Sequence, residues 1–251
     1  MVMSRNFASL LLVSFLAVTV TVGFTNVAWA TIIQSPVTGD ADSGINSLYP
    51  YTHTIDTGTN IARTINSVTF TPAGEPAPGD ITGTSSQGFG WSGTGFIQQV
   101  RVASGWLPGS GATVDMINDI NTRGGSTTVP TTLTVTLAGL TPGGSYVFDS
   151  YSVGASGVGG IRSITMTNSA NADTDTFFMD AYEFPVKGNL VSYAYTAVGD
   201  NITFTFTAPA NTGSYSFNLS GFTNRIPEPG TLALLATGLI GLLCYAWRKR
   251  K

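Results

Sequence analysis

The sequence predicts an all-β protein, with an antiparallel β-sandwich or jelly-roll-like body, one short helix, an N-terminal signal helix and a C-terminal transmembrane helix. Two observations indicate the fold class of the body. Apolar and polar residues alternate in many short stretches, which is typical of strands with one buried face and one wetted face. Clusters of Gly, Pro and Asn separate these stretches, at the spacing expected of a sandwich or jelly roll.

The clearest strands are LTVTL and ITFTFT, in which every second residue is apolar and threonines stand between. The pattern recurs in SVTFT, VRV, SITMT and VSYAYT. Because successive side chains of a strand point to opposite faces, we expect the apolar residues of the first two stretches to lie in the core. They are Leu133, Val135, Leu137, Ile202, Phe204 and Phe206.

One stretch, GATVDMINDINTRGG, breaks the alternation. Its apolar residues Val114, Ile117 and Ile120 recur every three positions, which predicts a short helix or helical turn crossing one end of the sandwich. Gly124 and Gly125 are expected to end it.

Two segments of the body resemble each other. LTVTLAGLTPGGSYVFDSY and ITFTFTAPANTGSYSFNLSGF each contain a strand, a turn, Gly-Ser-Tyr and a second strand. We interpret them as two related hairpins, which suits a Greek-key or jelly-roll layout. Two uses of one favourable hairpin explain the likeness equally well, so it does not establish a duplication.

Residues 1–30 have the features of a signal peptide. A single early charge, Arg5, precedes the apolar stretch FASLLLVSFLAVTVTVGF, and Ala28 and Ala30 form a small-x-small cleavage pattern. A first transmembrane helix is the alternative, but no charged flank follows Ala30. We therefore expect signal peptidase to cut after Ala30, so that the mature chain begins at Thr31 outside the cytoplasm.

The C-terminus predicts a membrane span that ends in a basic tail. Residues 231–247 carry no charge, and as a helix they would cover about 25 Å, the short end of what crosses a bilayer. A buried core helix is disfavoured because the stretch has no polar face. Basic residues beside a span stay cytoplasmic, which places the preceding chain outside. The residues that set this topology are Arg248, Lys249, Arg250 and Lys251.

The triplet Pro227-Glu228-Pro229 stands just before the span. Two prolines remove two backbone donors, so we expect an extended, accessible segment. With the apolar span and basic end, the triplet resembles the PEP-CTERM sorting signal of Gram-negative bacteria, over residues 225–251. The resemblance implies recognition and cutting near the triplet by an intramembrane exosortase. It also implies export through the inner membrane and a link to exopolysaccharide and biofilm.

The body, residues 31–224, is acidic and free of cysteine. Residues 31–226 contain six basic and 13 acidic side chains, a net charge of −7. Nucleic acid and anionic lipid are therefore disfavoured as partners. The single cysteine, Cys244, lies in the predicted span, so the body has neither a disulfide nor cysteine chemistry.

Candidate catalytic residues in the body are few. His53 and Asp56, with a serine, could make a triad, but the sequence has no Gly-x-Ser-x-Gly elbow with a histidine downstream. Asp149, Asp180 and Glu183 could supply the two carboxylates of a glycosidase. Acids of loops are mostly turn residues, so we expect no catalytic residues and no enzyme.

Acidic residues also raise the question of calcium. Asp173, Asp175, Asp180 and Glu183 are close in sequence, as are Asp40 and Asp42. Calcium takes several oxygen ligands from flexible loops, but neither stretch matches the twelve-residue EF-hand loop. We interpret these residues as solvated turn acids, and expect no metal and no cofactor.

Two tryptophans are the candidate ligand-binding residues. Trp91 lies in SQGFGWSGTGF, which is too glycine-rich to predict an ordinary strand, and Trp106 lies in SGWLPGSG, which predicts a loop. Aromatic faces stack on the apolar surfaces of sugars. The alternative is that both rings cap the open end of the core.

The expected protein is an exported, non-enzymatic component of the cell envelope, cell surface or extracellular matrix. A glycan such as exopolysaccharide is its expected ligand, and the membrane holds it at least transiently through residues 231–247. The alternative is a polysaccharide-active hydrolase or lyase on the same fold.

Overall fold

The computed structural model describes residues 32–58, 61–73, 79–85, 89–96, 107–119, 121–122, 131–153, 163–178, 187–208 and 218–227, with positions 238, 242, 244, 245 and 247–249 of the tail. Strands make up 54% of the structure, so the all-β prediction is confirmed. The predicted signal peptide, residues 1–30, lies outside the described residues.

Seven strands of different lengths form the first sheet. In spatial order they are β1 (Ile32–Val37), β12 (Gly188–Thr196), β9 (Ser145–Ser152), β15 (Gly221–Arg225), β2 (Tyr51–Asp56), β4 (Val68–Pro72) and β3 (Arg63–Ile65).

Six strands form the second sheet. In spatial order they are β11 (Thr174–Phe178), β10 (Ser163–Asn168), β13 (Asn201–Ala208), β8 (Thr131–Ala138), β6 (Phe89–Phe96) and β5 (Gly79–Ser85). Two short strands, β7 (Asn121–Thr122) and β14 (Asn218–Leu219), pair with each other.

The described strands pair antiparallel, as predicted, except that β2 and β4 run parallel. The exception arises because β3 and β4, which follow β2 in the sequence, form a hairpin. Asn66 and Ser67 both have positive φ, which is the backbone of a tight two-residue hairpin turn, and they join β3 to β4. Because β4 rather than β3 lies beside β2, the chain has reversed twice and runs in its original direction.

The inner core lies between the two sheets. Phe204 of β13 stacks on Phe148 of β9 with ring centroids 4.4 Å apart, and Phe177 of β11 packs on Phe206. The prediction for the core is confirmed, since all six predicted residues are at most 1% exposed: Leu133, Val135, Leu137, Ile202, Phe204 and Phe206.

An outer core lies on the opposite face of the seven-stranded sheet, beneath the helix α1 (Ala112–Asn118). Val114, Met116 and Ile117 of α1 are buried there. The helix comes so close to β15 that a Cβ atom added at Gly221 would lie 2.7 Å from the Met116 sulfur. The helix therefore covers a sheet face, and the prediction that it crosses an end of the sandwich is wrong.

The prediction that the helix continues to Gly124 and Gly125 is also wrong. The helix ends at Asn118, because Asp119 adopts an extended backbone with φ −91° and ψ 102°. The chain then enters β7. Ile120, Gly124 and Gly125 lie outside the described residues.

The two similar segments are not hairpins. In the first, β8 belongs to the six-stranded sheet and β9 to the seven-stranded sheet; in the second, β13 and β15 are divided in the same way. Each segment crosses from one sheet to the other. The likeness survives in the pairing, because β8 lies beside β13 and β9 lies beside β15.

Candidate functional site

The C-terminal segment leaves the body from the middle of the seven-stranded sheet. Strand β15 pairs with β9 on one side and with β2 on the other. The pairing continues to Ile226, whose backbone N–H donates to the Pro50 carbonyl at 2.9 Å. Pro227, half-buried, is the next residue, and Glu228 and Pro229 lie outside the described residues. The triplet therefore begins immediately after Ile226, the last paired residue that the structure describes in the body.

Arg225, the last residue of β15, is held by a carboxylate and an aromatic ring. Its Nε donates to Asp149 of β9 at 2.8 Å, and its guanidinium lies 4.7 Å from the centre of the Tyr49 ring. Burial alone would lower the pKa of Arg225, but the Asp149 carboxylate, with smaller contributions from Tyr49 and Tyr51, outweighs burial and raises the pKa. The ion pair and the ring hold the end of β15 in the sheet.

Asp149 is the centre of this arrangement. Its side chain is 5% exposed, and it accepts hydrogen bonds from Ser192 Oγ at 2.5 Å and Thr223 Oγ1 at 3.3 Å, besides the bond from Arg225. The carboxylate is thus occupied by its own neighbours. Asp180 and Glu183, the other two carboxylates considered for a glycosidase, lie outside the described residues.

His53 and Asp56 do not form a pair. They are three positions apart on β2 and so lie on opposite faces of the strand. His53 is 2% exposed, and its Nδ1 lies 3.0 Å from Thr52 Oγ1. Asp56 instead joins Asp119 in binding the guanidinium of Arg63, beside the end of α1. The strand therefore points these two side chains away from each other, which gives no support to the triad alternative.

The acids at the end of β1 have structural partners. Asp40 accepts a hydrogen bond from the Thr113 backbone N–H at 2.8 Å and so caps α1 from 73 residues away. Asp42 accepts from the backbone N–H of Thr38 and of Gly39 and from Thr38 Oγ1. Partial burial would raise the pKa of Asp42, but these hydrogen bonds outweigh it and lower the pKa.

The second acidic stretch is only partly described. Asp173 hydrogen-bonds to Asn171 within its own turn, and Asp175 accepts from the Ile32 backbone N–H at 3.0 Å. Asp180 and Glu183 are not among the described residues. Within the described ranges, no three His, Cys, Asp or Glu side chains are grouped closely enough to hold a metal ion.

Trp91 lies in a strand, although its glycine-rich stretch does not predict an ordinary one. It belongs to β6, where it stands opposite Gly83 of β5 and Val135 of β8. Glycine weakens a strand, but pairing on both sides supplies the backbone hydrogen bonds that keep β6 extended. Trp106 lies outside the described residues. The role of both tryptophans as ligand-binding residues stays a prediction.

The tail is described at seven positions, all helical and exposed: Gly238, Leu242, Cys244, Tyr245, Trp247, Arg248 and Lys249. Within the part of the chain that the structure describes, no helix has both the length and the apolar character needed to cross a bilayer. Most of the predicted span at 231–247 lies outside that part, as do Arg250 and Lys251.

Sequence reasoning missed the residues that hold the end of β15. It considers Asp149 for its carboxylate alone and gives Arg225 and Tyr49 no role. One signal is present in the sequence, because Arg225 is the only basic residue between Lys187 and Arg248. A lone cation at the end of a strand in an acidic body has an acidic partner as its simplest explanation, since arginine is rarely buried unpaired.

Comparison with known proteins identifies the C-terminal segment. The PEP-CTERM protein-sorting motif matches residues 225–251, so the resemblance predicted from the sequence is confirmed. The motif implies export, transient membrane anchoring through the tail and processing by an exosortase. No curated protein matches the chain.

Two solved structures are similar in part. One is Bacteroides uniformis beta-glucuronidase 2 covalently bound to cyclophellitol-6-carboxylate aziridine, at 12% identity and a TM-score of 0.44 over 69% of this chain. The other is a Bacteroides uniformis beta-glucuronidase, at 11% identity, the same TM-score and the same coverage. This chain spans 17% and 18% of the length of those two proteins.

Proposed function

We propose that this protein is a structural or glycan-binding component of the cell envelope or extracellular matrix, sorted through its tail by an exosortase and acting without catalysis. The sorting motif at residues 225–251 is the observation that carries the proposal. A protein that carries such a motif is exported and therefore functions outside the cytoplasm. The proposed ligand is exopolysaccharide or another glycan, because the family of sorting signals resembled by the tail is associated with exopolysaccharide and biofilm.

Four of the described acids support a non-catalytic role. Asp149 is bound to Arg225, Asp56 and Asp119 are bound to Arg63, and Asp40 caps α1. Each of these carboxylates has a structural task in the fold. A glycosidase needs one carboxyl group free to donate a proton and a second carboxylate to act as base or nucleophile.

The sorting part of the proposal is tested with Glu228→Gln. Glu228 is the charged residue of the triplet, so we expect the variant to stay membrane-bound at precursor length while the wild type loses its C-terminal residues. Glu75→Gln is the matched control, because Glu75 also precedes a proline. The measurement is the intact mass of the protein from its exosortase-bearing host, with membrane fractionation.

Two results would contradict this part. Identical processing of Glu228→Gln and wild type would show that the charge of Glu228 is not read. An intact C-terminus on the wild-type protein would reduce the tail to a simple anchor. Deletion of residues 248–251 should instead disturb orientation or retention, since basic residues set membrane topology.

The glycan part is tested by incubating the released protein with the exopolysaccharide of its own host. Retention of the protein on the polymer without shortening of the chains is the expected result. Shortened chains would establish the hydrolase or lyase alternative. We expect Trp91→Ala and Trp106→Ala to weaken retention, whereas Phe178→Ala, a control at an exposed aromatic residue of the same body, should not. Unchanged retention in both folded tryptophan variants would refute their assignment.

A further inference from the structure

Three exposed apolar side chains mark the end of the body from which the tail leaves. Leu48 is 75% exposed, Val198 is 68% exposed and Ile226 is 39% exposed. Tyr49, half-buried, lies between the first of these and the strand end, with its ring against Arg225. We call Leu48, Tyr49, Val198 and Ile226 the exit rim.

The strand register places these residues at one end of the seven-stranded sheet. Arg225 of β15 and Ala194 of β12 both stand opposite Val147 of β9, so the two strands end at a similar height. Val198 follows the end of β12, and Ile226 follows the end of β15. Ile226 also bonds to Pro50, which brings the Leu48 loop to the same end.

The length of chain after the rim fixes what the rim faces. Five residues, 226–230, separate Arg225 from the start of the apolar run at Thr231. Fully extended, five residues reach at most about 17 Å. The headgroup region on one side of a bilayer occupies about 5–8 Å of that distance. While the tail is in the membrane, the rim end of the body must therefore lie close to the lipid surface.

The charges at the same end determine how the body tilts. Asp200 and the turn acid Asp173 are exposed, and both adjoin strands of the six-stranded sheet. Arg225, the basic residue that the structure describes on the other side, is held by Asp149. The acids favour water, so the edge that approaches lipid is the one carrying Leu48 and Ile226. The contact is apolar, because the net charge of the body gives no attraction to anionic lipid.

We propose that the exit rim rests in the lipid–water interface before the tail is cut, so that the membrane-anchored precursor is docked on the bilayer in one orientation. This inference goes beyond the proposed function: it depends on the anchoring by the tail and not on glycan binding. Cutting at the triplet removes the tether, and the rim alone then offers too few apolar side chains to keep an acidic body on the membrane.

The test uses the full chain reconstituted into phosphatidylethanolamine vesicles, with and without phosphatidylglycerol. Cys244, the single cysteine, is first labelled with a polarity-sensitive fluorophore to follow insertion of the tail. In a Cys244→Ser background the label is then placed by Leu48→Cys in the rim. Asn171→Cys on the acidic side and Ile61→Cys, beyond the opposite end of β2, are the controls.

The expected result is a severalfold rise in emission at position 48, with a blue shift and quenching by lipid-borne quenchers, equal in both vesicle types. Labels at 171 and 61 should report water. Adding Ile226→Asp should lower the emission at position 48, since it places a charge on the edge that approaches lipid.

Three results would overturn the proposal. The first is a label at position 48 that reports water in vesicles in which a label at Cys244 reports lipid. The second is a label at position 48 that leaves water only after exosortase is added, which would make the enzyme the partner of the exit rim. A label at Cys244 that reports water would remove the anchor and the docking together, whatever the glycan experiments show.

Discussion

Strands β13 and β15 show the contrast between the two sheets. In β13 buried residues alternate with exposed or partly exposed ones along the whole strand, and the wetted positions are Asn201 and three threonines. In β15 four of the five residues are buried, because the inner core covers one face and α1 with its neighbours covers the other. An alternating sequence therefore identifies a sheet that meets water, and a sheet covered on both faces loses that signal.

The covered sheet must also satisfy the polar groups that it buries. Tyr195 donates to Asn224 Oδ1 at 3.0 Å on the inner face, and Asp149 binds Arg225 on the outer face. Buried polar groups without partners are costly, so each of these side chains has one. The described side chains of β8, β10, β11 and β13 contribute apolar packing to the inner core, and the seven-stranded sheet adds a polar network to such packing.

The largest expected effect is in the apolar core of the six-stranded sheet. Phe204→Ala should lower the free energy of unfolding by about 3–5 kcal/mol, because the fully buried ring leaves a cavity. Thr203→Ala, the neighbouring residue on the wetted face, should cost less than about 1 kcal/mol. Urea unfolding followed by circular dichroism measures both. Equal losses of unfolding free energy in the two variants would contradict the assignment of Phe204 to the buried face of β13 and Thr203 to the wetted face.

The next effect is in the polar network of the seven-stranded sheet. Asp149→Asn should lower the free energy of unfolding by about 2–3 kcal/mol, since it leaves the largely buried guanidinium of Arg225 without its carboxylate. Asp173→Asn, at an exposed turn, should change it by less than about 0.5 kcal/mol. If both variants matched the wild type in urea unfolding, the network would add nothing to the sheet.

Alkaline pH should act through the seven-stranded sheet. Burial raises the pKa of Tyr151 well above its usual value, and burial also raises the pKa of Tyr51, Tyr193 and Tyr195, all in this sheet. A phenol with a raised pKa in the fold contributes stability that is complete below about pH 10 and is lost as pH rises toward its folded pKa. The slope is about 1.4 kcal/mol per pH unit for each such phenol.

Tyr151→Phe isolates one of these phenols. Its free energy of unfolding should fall less steeply than that of the wild type above about pH 10, although the Ser43 carbonyl loses its donor at every pH. Tyr245→Phe, in the exposed part of the tail, is the control. Parallel curves for Tyr151→Phe and wild type, measured by urea unfolding across alkaline pH, would contradict the assignment.

The smallest effect is expected at Asp42, in the turn that follows β1. Asp42 has a lowered pKa in the fold, so its contribution is present above about pH 3.8 and is lost as pH falls below that value. Asp42→Asn should destabilise the protein by less than about 1 kcal/mol at neutral pH, because the carboxylate is exposed. The difference from wild type should shrink in acid, and a constant difference would exclude this cause.

The sequence by itself determined what depends on local pattern. Alternation in LTVTL and ITFTFT placed Leu133 and Phe204 inside, because a strand alternates its side chains whatever sheet it joins. The order of triplet, apolar run and basic end identified the sorting motif, because a processing signal is recognised as a linear segment. Spacing likewise placed Val114 and Ile117 on the buried face of a helix.

The tertiary structure decided what depends on contacts between distant segments. Pairing on both sides made a strand of the glycine-rich stretch around Trp91, and the crossing between sheets replaced the two expected hairpins. Asp149 binds Arg225, which is 76 residues away in the sequence, and Asp40 caps α1 through Thr113, which is 73 residues away. A local pattern states which face of an element is apolar. Only the packed chain determines which elements cover that face, and hence which polar groups meet there.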